Sequence, residues 1–395
     1  SCVAQTKEKI RKLKKMGAKG ENDDKSIYWR RISPACEACR KGVGSATFFI
    51  SLKCPRNCYY CFNPNQEYYE YFLTNERDCI KELGQIRAAG GELSHIGLSG
   101  GEPLVHKNQV INFFQQSRQC FPQAHTRLYT NGDLVDRSIL RELQEAGLDE
   151  IRFSIRLDDQ REEILETLKR INLAGEFIPA VMVEMPVLPG SLEQMKALLL
   201  QLDRIGISSI NLLEFCFPFH NGKLFKEKGF SIKNPPYRVL YDYWYAGGLP
   251  VARSELLCLD LLEFAIEREL KMGVHYCSLE NKHTGQIYQQ NAGGKLPERA
   301  YFSPKDYFLK TAKVFGDDIS YVQSFLNRMG SKNYYLNREY NYLEFPVDKV
   351  AALGRPGMEV GISFNVMEER EDGRYLRELK VDLTYPEIFD LDKDV

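Results

Sequence analysis

No uncharged apolar run in these 395 residues approaches the roughly 20 needed to cross a bilayer, and the polar start SCVAQTKEKIRKLKKMGAKG has no signal-peptide core. The expectation is a cytoplasmic protein with no membrane partner. One-sided charge is also missing. The 53 basic residues face 54 acidic ones, a formal net charge of -1, so no global field draws the chain to nucleic acid or anionic lipid. Internal repeats and low-complexity tracts are absent. Hydrophobic residues at 43% and charged residues at 27% are near globular averages, which excludes disordered, collagen-like and small disulfide-stapled classes. At about 150 residues per domain the length has room for two to three domains, or one large α/β barrel with an appendage. Cysteine is sparse, 11 in all, yet five crowd between 36 and 61. In a reducing compartment that crowding favours metal over disulfides.

From 46 to about 215, apolar runs of strand length alternate with amphipathic stretches of helix length. The strands are ATFFISLK (46–53), LSHIGLS (93–99), TRLYT (126–130), EIRFSIR (150–156), FIPAVMVEM (177–185) and SINLLEF (209–215), with helices near 74–89, 107–119, 136–146, 160–173 and 191–205. Such alternation means parallel βα units, and six of them make an open or partial (β/α)6 TIM-type barrel with one shared mouth at the strand ends. Residues 1–45 form an N-terminal extension whose basic stretch KEKIRKLKK reads as a solvated helix face, and 46–216 form the barrel. The Pro-, Gly- and aromatic-rich segment after 216 reads as a lid, followed within 217–290 by a helix near 253–270 and a strand at VHYC (274–277). Residues 291–395, with a helix near 304–328 and runs such as LEFPV, VGISFNVM and YLRELKVDL, read as a small α+β domain.

The strongest chemical signal is KCPRNCYYCF, which places Cys54, Cys58 and Cys61 just after the first strand. Three thiolates on one loop can wrap one face of an iron-sulfur cube and leave one iron open for chemistry. A zinc knuckle and incidental thiols are the other readings of the spacing. The triplet, with aromatic Tyr60 before its last cysteine, resembles the signature of the radical S-adenosylmethionine (SAM) superfamily. That resemblance implies a partial (β/α)6 barrel and a 4Fe-4S cluster whose open iron binds the amino and carboxylate groups of SAM. It also implies an external electron donor such as flavodoxin or ferredoxin, and cleavage to methionine and a 5'-deoxyadenosyl radical that abstracts hydrogen from a substrate.

Further positions are carried over from the resemblance. SGGEPL offers Gly100, Gly101, Glu102 and Pro103, similar to the segment that receives the SAM amino group. Paired glycines let backbone approach a ligand, and a carboxylate accepts from an ammonium. Thr130 and Asn131 resemble ribose contacts. Arg152, Ser154 and Arg156 alternate onto one face, which resembles the Ser and Arg positions that hold the SAM carboxylate. Glu184, in a fifth strand without the family's glycine pattern, is a candidate beside adenine.

A second set begins with PACEAC, whose Cys36 and Cys39 make half a metal site. Cys277 in VHYC is the best complement, with Cys216 and Cys258 in reserve, and a second 4Fe-4S cluster on Cys36, Cys39 and Cys277 is the expectation. His275, His220 and His283 read first as hydrogen-bonded structural histidines, and Cys79 and Cys120 as packing. The upstream CxxC, the DEIRF and NLLEF strands and the HYC segment resemble poorly characterised radical SAM proteins related to pyruvate formate-lyase activating enzymes, over about residues 34–290. The substrate stays open between a peptide, a protein, a small metabolite and tRNA. A zinc-stapled nucleic-acid-binding protein and an iron-sulfur electron-transfer or sensor protein without SAM cleavage are the alternatives.

Overall fold

The computed structural model describes residues 2–41, 44–218, 220–234, 248–292, 295–370 and 372–395. Most of the segment expected as a lid, 235–247, lies outside them. Over the described residues the chain forms two compact units, one ending at Lys282 and one beginning at His283. Among the described residues no helix is long and apolar enough to cross a membrane.

The first unit opens with α1 (Cys2–Lys15), a hairpin of β1 (Lys19–Glu21) and β2 (Ser26–Trp29), and α2 (Pro34–Lys41). There follow β3 (Ser45–Phe49), the short α3 (Tyr69–Phe72), α4 (Cys79–Ala88), β4 (His95–Ser99), α5 (Lys107–Cys120), β5 (His125–Thr130), α6 (Arg137–Glu145), β6 (Glu150–Phe153), α7 (Arg161–Ala174), β7 (Ala180–Val187), α8 (Leu192–Ile205) and β8 (Ser209–Glu214). After β9 (Cys216–Phe217), α9 (Gly222–Glu227) and β10 (Leu249–Pro250) come α10 (Ser254–Glu267), β11 (Gly273–Cys277) and α11 (Leu279–Ala292), which continues past the boundary. The strands line up as β1-β2-β11-β8-β7-β6-β5-β4-β3. All six expected parallel strands are present, and β11 adds a seventh, parallel to β8 and antiparallel to β2. This is an α/β fold with an open parallel sheet, the partial-barrel architecture.

The strands alternate for a physical reason. Outward residues such as Leu98, Leu128, Ile151, Phe153, Val183, Ile210 and Leu212 are fully buried under the helices, each contributing on the order of 1.5–3 kcal/mol. Inward residues are polar on strand after strand: Thr47, Arg127, Tyr129, Glu150, Arg152, Glu184, Asn211 and His275. Parallel sheets covered on both sides normally carry apolar residues on both faces, so a polar inner face marks the place where chemistry is housed. The N-terminal residues belong to this unit. The hairpin closes onto β11 while α2 carries the chain from β2 at one side of the sheet to β3 at the other. In α1, Lys9 and Lys12 of the basic stretch are paired with Asp260 and Glu263 on α10 rather than merely solvated.

The second unit contains β12 (Tyr301–Phe302), β13 (Leu309–Phe315), α12 (Asp318–Arg328), β14 (Tyr335–Asn337), β15 (Tyr342–Phe345), β16 (Val360–Arg370), β17 (Gly373–Thr384) and α13 (Leu391–Asp394). Its antiparallel sheet runs β14-β15-β13-β16-β17, with β12 paired to β13. The helix expected over 304–328 is half strand. Lys310 and Lys313 fall on opposite faces of β13 and hide its two-residue period. Both are nonetheless buried, Lys310 against Asp306 and the Phe364 ring and Lys313 against Glu344.

Candidate active site

Beyond β3 the chain runs extended to Cys54 and is held there by the loop that follows β4. The amides of Gly101 and Glu102 donate to the carbonyls of Ser51 and Lys53 at 3.1 and 2.8 Å. Gly100 has φ +129°, and a Cβ on Gly101 would stand 2.1 Å from the Lys53 carbonyl oxygen. The expectation had these glycines opening backbone toward a ligand. Here the close approach they permit is between two loops, so they fix the height at which the cysteine segment leaves the sheet. Gly101→Ala is expected to cost about 1–3 kcal/mol through overpacking against backbone that cannot yield, measured by urea denaturation of the iron-free protein. Wild-type stability in that variant would mean the loops are free to part.

Two other anchors hold the loop. Arg56, between Cys54 and Cys58, donates Nε and Nη2 to the two carboxylate oxygens of Asp133 and Nη1 to Asp159, all at 2.6 Å. This bidentate fork ties the cysteines to the loops after β5 and β6. On the other side Tyr59 and Tyr60 enter an apolar cluster of Phe215, Phe225 and Val251, with Tyr60 edge-on to Phe215 at 5.9 Å. Tyr60, expected at the cofactor, is mostly buried here and helps seat the loop. The turn closes with the Cys61 amide on the Cys58 carbonyl at 3.0 Å.

On this loop Cys54 feels the charge of Cys61, and Cys58 feels both. Burial pushes Cys54, Cys58 and Cys61 up, Cys58 to about 11, and the charges of Cys54 and Cys61 add to that at Cys58 while Arg156 opposes it. A thiolate cannot stay charged there without a strong cation, and an iron cube supplies one by taking each sulfur on a separate iron. Among the described residues no three His, Cys, Asp or Glu side chains close around a single metal ion. Three thiols on one short loop, each free to take a separate iron, are the donor set a cube needs.

Around the triplet lie the other expected positions. Glu102 is buried, and its carboxylate accepts from the amides of Leu104 and Asn131 and from the Thr130 hydroxyl at 3.0, 2.7 and 2.9 Å. It fastens the loop after β4 to the end of β5, with Pro103 buried beside it. Asn131 Nδ2 stands 4.0 Å from Cys54 Sγ. Ser154 is exposed, its hydroxyl on the Glu184 carbonyl at 3.2 Å. Arg156 is paired with Asp158 at 2.8 Å and Asp159 at 3.3 Å.

Glu184, the candidate beside adenine, lies on β7. Arg152 Nη1 and Asn211 Nδ2 reach its carboxylate at 2.8 and 2.6 Å, which draws it into a network on the inner face. Arg152 also pairs through Nε with Glu150, and its Nη2 donates to Ser33 Oγ at 3.0 Å and meets Cys36 Sγ at 3.5 Å. Burial alone would raise Glu150, yet Arg152 with the bonds from His125 and Ser33 brings it down to about 2. Asn211 Nδ2 also meets Cys36 Sγ at 3.3 Å. His275 is held by Asn211 Oδ1 at 2.9 Å and Ser26 Oγ at 2.7 Å, and burial lowers its pKa to about 3. Both ring nitrogens are thus used structurally.

Cys277 Sγ accepts from Asn281 Nδ2 at 3.4 Å. Burial pushes Cys277 up to about 12, and the charges of Cys39 and Cys36 add to it. Cys39 is raised by burial and then by Cys36. Lys282 opposes the rise at Cys277 and Cys39 and does the same at Cys216, where Glu214 adds to burial. Cys258 is buried in α10 and Cys79 in α4, Cys120 ends α5, and His220 bonds Asn65. His283 belongs to the second unit. Sequence reasoning missed Arg56 with its two aspartates, Arg127, Tyr129, Glu150 and Asn211. The signal for the last four was present, as polar residues at alternate positions of HTRLYT, EIRF and SINLLE.

Residues 48–202 match the model of the Radical SAM superfamily. A protein of Methanocaldococcus jannaschii named "Putative glycyl-radical enzyme activating enzyme MJ0021" is 30% identical over 215 residues, 52% of this chain and 56% of that protein. The chain thus spans little more than half the length of that relative. Among solved structures, Streptococcus suis SuiB bound to its precursor peptide SuiA has a TM-score of 0.44 at 14% identity, covering 66% of this chain and 55% of that one. Native anSMEcpe with bound AdoMet and a peptide gives 0.34 at 16%, covering 42% and 50%.

Proposed function

We propose that this chain, whose residues 48–202 match the radical SAM superfamily model, cleaves SAM reductively at a 4Fe-4S cluster held by Cys54, Cys58 and Cys61 and abstracts hydrogen from a substrate. The observation that carries this reading is the triplet itself: three thiols within eight residues of one loop pinned by Arg56, Gly101 and Tyr60. When bound, cluster and SAM supply an electron-driven cleavage to methionine and a 5'-deoxyadenosyl radical. The chain's own part is placement. The segment Gly100 to Pro103, with Thr130, Asn131, Ser154 and Arg156, would hold SAM, the Glu102 bonds keeping the loops after β4 and β5 in register. Arg156, in electrostatic reach of Cys58, would offset negative charge on that side. An external flavodoxin or ferredoxin would deliver the electron. Anaerobic reconstitution with iron and sulfide tests this. Brown protein that forms 5'-deoxyadenosine on reduction with SAM is expected, and colourless protein holding stoichiometric zinc would refute it.

The reading includes a second 4Fe-4S cluster on Cys36, Cys39 and Cys277, supported by N–H groups of Arg152, Asn211 and Asn281 directed at two of the sulfurs. Cys36→Ala with Cys39→Ala should lower the iron content of reconstituted protein by about half, one of two four-iron cubes. An unchanged iron count would mean no second centre there.

A further inference from the structure

Arg127 stands on the inner face of β5 with 6% of its surface exposed. Its Nε donates to the Tyr129 hydroxyl at 3.1 Å and its Nη2 to the Thr47 hydroxyl at 3.0 Å, both neutral oxygens. Among the described residues the buried Nη1 has no hydrogen-bond partner. The nearby acids are committed elsewhere, since Glu150 and Glu184 both pair with Arg152. The charge is nonetheless felt. His95 is lowered by burial and then by His125 and Arg127. Gly97 on β4 keeps the position clear, because a Cβ there would come within 3.1 Å of the guanidinium. Cys39 also lies within electrostatic reach of Arg127, but among the described residues no carboxylate pairs with the guanidinium; burying it without a paired anion is costly, and its fork matches a carboxylate.

We propose that Arg127 anchors the carboxylate of a small organic acid, which is the substrate. The role as substrate rests on the SAM reading above; the anion site itself does not. Arg127 lies four residues before Asn131, the neighbour of Cys54. At ~3.3 Å per residue, four residues of strand span about 13 Å, a separation that suits a metabolite-sized acid held at Arg127 with its other end toward the cysteine loop.

The test uses reconstituted full-length protein and two probes of nearly equal shape, propionate and propionamide. Propionate should raise the melting temperature saturably and propionamide should not. Arg127→Met should weaken propionate binding at least tenfold, and Arg127→Lys, which keeps the charge and loses the fork, several-fold. An equal response to both probes would overturn the proposal, as would unchanged propionate affinity in either variant. So would a response to inorganic phosphate without one to propionate, or a propionate response confined to iron-free protein, which would make the guanidinium a partner of the cluster. 5'-Deoxyadenosine formation is followed on the same wild-type preparation. Its absence would sink the SAM assignment alone, and a missing propionate response would sink the anchor alone.

Discussion

Cys58→Ala is expected to bring reductive cleavage of SAM to background while leaving the protein soluble. The thiol is half-buried on a loop whose position is set by its neighbours, Arg56 on the two aspartates and Tyr59 and Tyr60 in the aromatic cluster. Its removal takes one iron's ligand and little packing. The comparison is made after anaerobic reconstitution, reading 5'-deoxyadenosine per chain and cluster absorbance together. Cleavage at the wild-type level in this variant would show that the iron chemistry lies elsewhere in the chain.

The second large effect is on stability. Arg152 is buried and is the shared partner of Glu150 and Glu184, and it also reaches Ser33 and Cys36. Arg152→Met keeps much of the volume but leaves two inner-face carboxylates without their cation. Breaking a buried pair from one side costs about 3–5 kcal/mol. Urea denaturation of the iron-free protein should therefore show a loss of that order, with part of it regained when Glu150→Gln is added, since a neutral amide needs no counter-charge. A loss below about 1 kcal/mol would mean that water or another cation already serves the carboxylates.

Much of this was readable before any coordinates. All six barrel strands lie within a few residues of their expected places, because each is an apolar run bounded by turn residues and followed by a 3.6-residue pattern. The triplet was legible because its spacing is local. What stayed hidden depends on meetings across the chain. Nothing in SIYW indicates that it pairs with GVHYC some 250 residues on, nor in PACEAC that its helix lies beside Arg152 and Asn211. Arg152 and Glu184 were read as cofactor contacts because their types and strand ends matched. In the structure the two pair with each other inside the sheet, as a carboxylate and a guanidinium within reach do. The strand at Leu309–Phe315 was missed because two buried lysines imitate an exposed face.

The two cysteine sets differ in when they can exist. Cys54, Cys58 and Cys61 come from eight consecutive residues, so a nascent chain carries them as a unit long before its last strand is made. Cys36 and Cys39 wait for Cys277, because only the pairing of β2 with β11 brings them to it. Closing a loop of that length adds little free energy but much time. On the proposed reading of both sets as iron ligands, iron delivered during synthesis would find the first trio ready and the second still dispersed.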